Sequence, residues 1–164
     1  MIGRCLWTLI PVLTALVGCT TDPVPDGPEA LITDPELAEL VEIIACKPSQ
    51  EHDLSYVQVF ADPATAALYD TCVLQQNCTE LFPAGSIFVK REYNFPDCLD
   101  EDLNGFTVSL KLEPGESPDG RDWHWQALGR DLTVTEDGAP KSCVNCHEAS
   151  CAPPAGYDLR CPPD

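Results

Sequence analysis

Two cysteines and one histidine stand within a short stretch near the end of the chain: Cys143, Cys146 and His147. On a helix, residues three apart share a face and the next residue lies beside them, so two thiols and one imidazole would point in one direction. This C-x-x-C-H pattern is the attachment signature of c-type heme, in which the thiols bind the vinyl groups and the imidazole binds the iron. The spacing predicts one covalent heme c with His147 as its iron ligand.

Two other interpretations of these residues stay open. A structural zinc site has four ligands. Cys143 and Cys146, with either His147 or Cys151, would supply only part of that set, and the sequence has no second C-x-x-C and no H-x-x-x-H. The chain also contains ten cysteines, so the pair could belong to a disulfide-stapled surface lipoprotein without heme.

The first residues have the pattern of a bacterial lipoprotein signal. Residues 1–18 combine a positive start at Arg4 with a short apolar run, and Leu-Val-Gly then precedes Cys19. This pattern predicts lipidation of Cys19 and a membrane anchor in the bacterial cell envelope, periplasmic or on the outer membrane. Cleavage by an ordinary signal peptidase, giving a soluble exported protein, is the alternative. Residues 19–30 are rich in proline and glycine and predict a tether, so the folded domain should span 31–164.

Export agrees with the cysteine content, because disulfides persist outside the reducing cytosol. With Cys5 in the signal, Cys19 lipidated and the C-x-x-C pair set aside, six cysteines remain. This even number fits three disulfides beside a heme site, and it fits four disulfides equally well if the C-x-x-C pair is included. Proximity in sequence favours the local bonds Cys151–Cys161 and Cys72–Cys78. Cys46 and Cys98 remain and would form the third bond.

The charge of the chain bears on its partners. The formal net charge is -18, which argues against nucleic acid, because binding it requires lysine and arginine to neutralise phosphates. An acidic surface is compatible with solubility or with docking to a basic redox partner protein.

The elements that must position the C-x-x-C-H segment predict an α+β fold. A capping box at Thr33 and Glu36 with an apolar stripe through Ile44 predicts a first helix that ends near Cys46, and Asp62 begins a second that ends near residue 72. Alternating or apolar runs predict strands over 54–60, 86–93, 105–112 and 123–128, and residues 131–135 continue or pair with the last. The expected fold is an antiparallel sheet with two N-terminal helices and a C-terminal heme-attachment segment.

Four segments in this order resemble the cytochrome P-460 family: "VFADPATAALY", "FPAGSIFVKREY", "GRDWHWQAL", and "SCVNCHEA" followed by "AGYDL". The resemblance spans most of the 31–164 domain. It implies an antiparallel β domain, often a homodimer, that holds one heme c with His147 as proximal ligand and an open distal side. Phe88 would line the heme. Lys90 matches the strand lysine that is covalently joined to the porphyrin in members that oxidise hydroxylamine.

The resemblance also leaves catalysis open. Thr107 stands where active members have a distal carboxylate, and Val57 stands where some have an arginine. Related cytochromes c′-beta share the fold, lack the cross-link and bind gases such as nitric oxide. The chain is therefore expected to be a heme-dependent oxidoreductase acting on hydroxylamine or a related small nitrogen compound, or a non-catalytic heme protein that binds nitric oxide or carries electrons. Lys90 has a competing interpretation as a charged residue on an exposed strand face beside Glu92.

Candidates for a sixth iron ligand are few. Met1 is the only methionine, which argues against the His/Met ligation of small helical electron carriers. His52 and His124 are the other histidines, and each could reach the iron. A solvent-facing or locally hydrogen-bonded side chain is the simpler interpretation of both.

Overall fold

A computed structural model describes residues 27–49, 52 and 55–163. The predicted signal, Cys19 and most of the tether lie outside these residues. Nine elements make up the fold, in this order: α1 (Asp34–Glu39), β1 (Val41–Pro48), β2 (Tyr56–Ala61), α2 (Pro63–Tyr69), β3 (Ile87–Tyr93), β4 (Leu103–Lys111), β5 (Trp123–Gly129), β6 (Val134–Gly138) and α3 (Lys141–Ser150). A π-helical turn over Asp70–Leu74 follows α2, and short 3-10 turns precede β4 and β5.

The six strands form one antiparallel sheet in the order of the sequence, β1-β2-β3-β4-β5-β6. Antiparallel neighbours need no crossover between them, and the longest connection, from β2 to β3, contains α2 and the π-helical turn. The predicted α+β class with an antiparallel sheet is confirmed. Among the described residues, none of the helices combines the length and apolar character needed to cross a membrane.

The first helix was predicted too long. It ends at Glu39, and β1 takes the residues from Val41 onward. The capping box is present, since Glu36 Oε2 accepts from the backbone N–H and the hydroxyl of Thr33 at 2.8 and 2.7 Å. The apolar spacing through Ile44 matched a helix, but pairing with β2 satisfies the backbone of these residues and overrides that local preference.

Alternation along β3 divides the apolar residues between the two faces of the sheet. Val89 belongs to a core that also contains Val108 and Leu128, and α1 packs on this side through Leu37. Phe88 points the other way, into a core with Trp123. Phe88 and Val89 therefore lie on opposite faces of the sheet, and the Phe88 face is the one that meets α3 through Val144.

The polar face of β4 is buried, although its alternation predicts solvent. Ser109 and Lys111 are 3% and 5% exposed. They lie on the Phe88 face, where α3 and the C-terminal residues cover the sheet. Lys111 Nζ forms an ion pair of 3.0 Å with Asp158, which explains how a lysine is accommodated there.

The described residues contain three disulfides, with the pairs predicted from the sequence: Cys46–Cys98, Cys72–Cys78 and Cys151–Cys161. The first joins β1 to the segment that follows β3. The last joins the end of α3 to the residues beyond it. Among the described residues, Cys143 and Cys146 are the free cysteines.

Candidate functional site

Helix α3 carries the C-x-x-C-H residues. It begins after Pro140, and the N–H of Cys151 closes its end on the carbonyl of His147. Val144 is buried in the Phe88 core, and Cys143 packs beside that core. Cys146 lies one helical turn further on and is exposed. The two thiols are thus neighbours on one helix, held in place by the packing of Val144.

His147 is held in one tautomer. Its Nδ1 lies 2.7 Å from the carbonyl oxygen of Leu159. A carbonyl oxygen only accepts, so Nδ1 donates a proton and Nε2 carries the lone pair. Burial lowers the pKa of His147 to about 4, and the positive charge of Arg160 contributes to the shift. The imidazole is therefore neutral at neutral pH, and a ring N–H bonded to a backbone carbonyl is the usual support of a metal-binding histidine.

A tight turn over residues 157–160, the C-terminal turn, supplies that carbonyl. The backbones of Tyr157 and Arg160 exchange hydrogen bonds of 2.9 and 2.8 Å. Asp158 and Leu159 between them have φ values of 44° and 63°, a left-handed conformation that costs a residue other than glycine on the order of 1 kcal/mol or more. This strained turn directs the Leu159 carbonyl to His147 and the Arg160 side chain toward the sheet.

Gly156 allows the C-terminal turn to approach α3. A Cβ atom at this position would overlap the carbonyl oxygens of Arg160 and Cys151. We expect Gly156→Ala to lower the free energy of unfolding by about 1–3 kcal/mol, because backbone must shift to admit the methyl group. Urea denaturation measures the change. Gly27→Ala is the control, since a Cβ there meets nothing within 4 Å. Equal stability of the two variants would contradict the prediction.

A cavity of about 270 Å³ lies between the Phe88 face of the sheet and α3. The residues that line it include Val57, Phe88, Lys90 and Thr107 from the sheet and Cys146 and His147 from α3. Four sheet residues that the family resemblance singled out thus share one cavity with two members of the C-x-x-C-H motif. Cys143 is not among the lining residues of this cavity and packs against the Phe88 core.

Lys90 lies in the cavity wall and not on an exposed strand face, since its side chain is 13% exposed. Its Nζ is 2.8 Å from Oε1 of Glu92, which also accepts from the hydroxyl of Thr107 at 2.8 Å. Burial raises the pKa of Glu92, but the charge of Lys90 and these hydrogen bonds outweigh it and lower the pKa overall. An ionised carboxylate is therefore bonded to Thr107, the position where the family pattern would place an acid.

The two remaining histidines have different surroundings. His124 Nε2 pairs with Asp137 at 2.8 Å. His52 lines the cavity, and its ring centre is 6.5 Å from that of His147. Of the two, His52 is the histidine that shares the cavity with His147.

No family model and no curated protein matches this sequence.

Cys151, one of the candidate ligands of a zinc site, is in a disulfide in this structure. Cys151 is bonded to Cys161 and cannot act as a thiolate. Among residues 27–49, 52 and 55–163, no group of three or more histidine, cysteine, aspartate or glutamate side chains is arranged to hold a metal ion.

Two residues of the site were not predicted as functional. Glu92 shares a strand face with Lys90, and that spacing could have indicated it. Arg160 is 6% exposed and lines the cavity. It is the last residue of the C-terminal turn, whose left-handed positions Asp158 and Leu159 are neither glycine nor asparagine and so were not predicted.

Proposed function

We propose that this protein is a c-type heme protein, with the cofactor joined to Cys143 and Cys146 and with His147 as the proximal ligand. The observation that carries the proposal is the hydrogen bond from His147 Nδ1 to the Leu159 carbonyl, which leaves Nε2 for a metal. The fit of the other residues supports it. Cys143 and Cys146 are free thiols, and an apolar cavity adjoins the helix that bears them.

We further propose that the protein resembles cytochrome P-460 in oxidising hydroxylamine or a related small nitrogen compound. The bound heme would supply an iron that coordinates the substrate and accepts its electrons. Glu92 would supply a proton acceptor. Its partners Lys90 and Thr107 both line the cavity, so the carboxylate is one hydrogen bond away from a substrate there.

A non-catalytic heme protein is the second candidate, and His52 favours it. A second imidazole on the iron would block the position that a substrate needs and would suit electron transfer. The separation of 6.5 Å between the rings of His52 and His147 is the supporting observation. An open sixth position would instead allow nitric oxide to bind without turnover.

The location proposed for either function is the bacterial cell envelope. Lipidation at Cys19 would anchor the chain to a membrane, and residues 19–30 would separate the anchor from the domain. Heme attachment outside the cytoplasm agrees with export, as do the three disulfides. The redox partner would be a protein with a basic surface, complementary to the acidic chain.

Intact mass and absorption spectra of protein made with the heme-ligation machinery test these functions. An added heme mass with hydroxylamine turnover, in the presence of an electron acceptor, supports the first. Added heme mass with nitric oxide binding to the ferrous protein and no turnover supports the second. Protein without added mass would leave a disulfide-stapled lipoprotein without heme.

Lys90→Ala tests the proposed cross-link. We expect a red-shifted Soret band in the reduced protein that is lost in this variant, because Lys90 Nζ is the strand amine in the cavity wall that matches the family's lysine. Absorption spectroscopy of the reduced protein measures the shift. Lys47→Ala is the matched control, since Lys47 is another lysine of the same cavity. An ordinary c-type spectrum that is unchanged by Lys90→Ala would exclude the cross-link.

A further inference from the structure

The cavity contains a buried cation with unused hydrogen-bond donors. The guanidinium carbon of Arg160 lies 4.0 Å from the ring centre of Trp123, 4.6 Å from that of Trp125 and 5.0 Å from that of Phe88. Its Nη1 donates to the hydroxyl of Ser109 at 2.7 Å. Among the described residues, neither Nε nor Nη2 has a hydrogen-bond partner, and both atoms are buried.

The two unused groups lie on the same edge of the guanidinium. Nε–H and one N–H of Nη2 are parallel, and this edge is one of those with which arginine binds a carboxylate or phosphate through two bonds. The indole Nε1 of Trp125 is also buried without an acceptor among the described residues, and Trp125 lines the same cavity. Arg160 and Trp125 thus line one cavity, and together they hold three buried donors that have no acceptor among the described residues.

The nearby carboxylates are already engaged. Asp158 binds Lys111 Nζ at 3.0 Å and accepts from the backbone N–H of Phe82 at 3.1 Å. Glu92 binds Lys90. Lys111 and Asp158 balance each other, so Arg160 leaves a net positive charge in this buried cluster. Burial lowers the pKa of Arg160 to about 9, which still leaves the guanidinium charged at neutral pH.

We propose that the cavity binds an anionic group, a carboxylate or a small oxyanion, through Nε and Nη2 of Arg160. A buried charge is stabilised when an opposite charge and hydrogen bonds compensate it, and the aromatic walls exclude the water that would weaken such a pair. The anion has two possible sources. One is a propionate of the heme, and this source rests on the proposed function. The other is a free small oxyanion that enters the cavity as ligand, substrate or product.

Titration with sodium nitrite and sodium formate at constant ionic strength tests the site. The protein is prepared with its heme, and binding is followed by the Soret band and by calorimetry. The variants are Arg160→Gln, Arg160→Lys, and Arg121→Gln as a control that removes an exposed arginine. If the anion is free, we expect saturable binding that is weakened about 10- to 100-fold by Arg160→Gln, less by Arg160→Lys, and not by Arg121→Gln.

If the anion is a heme propionate, it occupies the site and neither probe binds. The pH dependence of the heme reduction potential then detects the interaction of Arg160 with the propionate. Arg160 then stabilises the ionised propionate, so its titration lies at low pH. Arg160→Gln should move that step in the pH dependence of the potential to higher pH, while Arg121→Gln leaves it in place. The inference is overturned if neither probe binds and the potential keeps the same pH dependence in Arg160→Gln, because no anion then depends on Arg160.

Failure of the proposed function is distinguishable from failure of this site. Intact mass shows whether heme is attached. In protein without heme, the same probes should raise the melting temperature of the wild type and of Arg121→Gln, and not that of Arg160→Gln. If neither probe raises the melting temperature of the heme-free wild type, the anion site is overturned whether or not the protein binds heme. If Arg160→Gln does not fold, the Arg160→Lys variant carries the comparison, since lysine keeps the charge and loses the paired edge.

Discussion

Alanine at both Cys143 and Cys146 should abolish covalent heme attachment and leave the domain folded. Both thiols are free, and Cys146 is exposed on α3, so neither substitution breaks a disulfide. Val144, the buried residue of that helix, is unchanged. The measurement is intact mass after expression with the ligation machinery, together with circular dichroism of the same sample. We expect no heme mass in the double variant and a spectrum of the wild-type shape.

The matched control for that variant removes a different pair of cysteines. Cys72 and Cys78 close a short disulfide loop after α2 and belong to no C-x-x-C-H motif. Their replacement by alanine should lower the free energy of unfolding by roughly 2 kcal/mol and leave the heme mass in place. Heme mass that persists without Cys143 and Cys146 would contradict their assignment as attachment sites. The assignment would also be contradicted if the variant without Cys72 and Cys78 lost its heme mass to the same extent.

Asp158→Asn should destabilise the protein by about 3–5 kcal/mol, because it leaves a buried lysine without its counterion. The side chains of Lys111 and Asp158 are 5% and 4% exposed, and the distance between Nζ and Oδ2 is 3.0 Å. The remaining hydrogen bond of Nζ, to the carbonyl of Arg121 at 3.0 Å, cannot balance the charge. Asparagine preserves the shape of the side chain and tolerates the left-handed φ of residue 158.

Urea denaturation of Asp158→Asn, Lys111→Met and the double variant measures this coupling. The double variant should recover part of the loss, since it removes both charges. Arg121→Gln is the comparison for an exposed pair. Its partner is Glu148 at 2.6 Å, with Arg121 67% exposed, and we expect a change below about 1 kcal/mol. A loss in Asp158→Asn that is as small as in Arg121→Gln would show that the buried pair contributes little.

The sequence predicted the middle of the sheet better than its edge. Strands β3, β4 and β5 have apolar alternation or aromatic runs that match a strand whatever their neighbours are. Val41 to Ile44 continue a helical stripe, and only pairing with β2 makes them a strand. The burial of Lys111 depends on Asp158, which is distant in sequence, and so alternation along β4 could not reveal it.

The candidate site also has a part that local sequence predicts and a part that depends on residues distant in sequence. The C-x-x-C-H residues are adjacent, and a single helical turn brings them together, so local spacing was sufficient. The acceptor for His147 is the backbone of Leu159, which no side-chain pattern encodes. Arg160 reaches the cavity because the C-terminal turn has left-handed residues that are neither glycine nor asparagine. The conformation of that turn is set by its packing and by the Cys151–Cys161 bond.

That bond has a consequence for how the protein is produced. Three thiols lie close together in the unfolded chain, at Cys143, Cys146 and Cys151, and the Sγ of Cys151 ends 3.7 Å from Nδ1 of His147. Oxidation that joins Cys146 to Cys151 would consume an attachment thiol and also release Cys161, so the Leu159 carbonyl would lose its position. Thioether formation and disulfide formation would then compete for neighbouring sulfurs. The yield of mature protein should depend on the order of these two chemistries, and a host with abundant oxidant and slow heme ligation should accumulate mispaired chains.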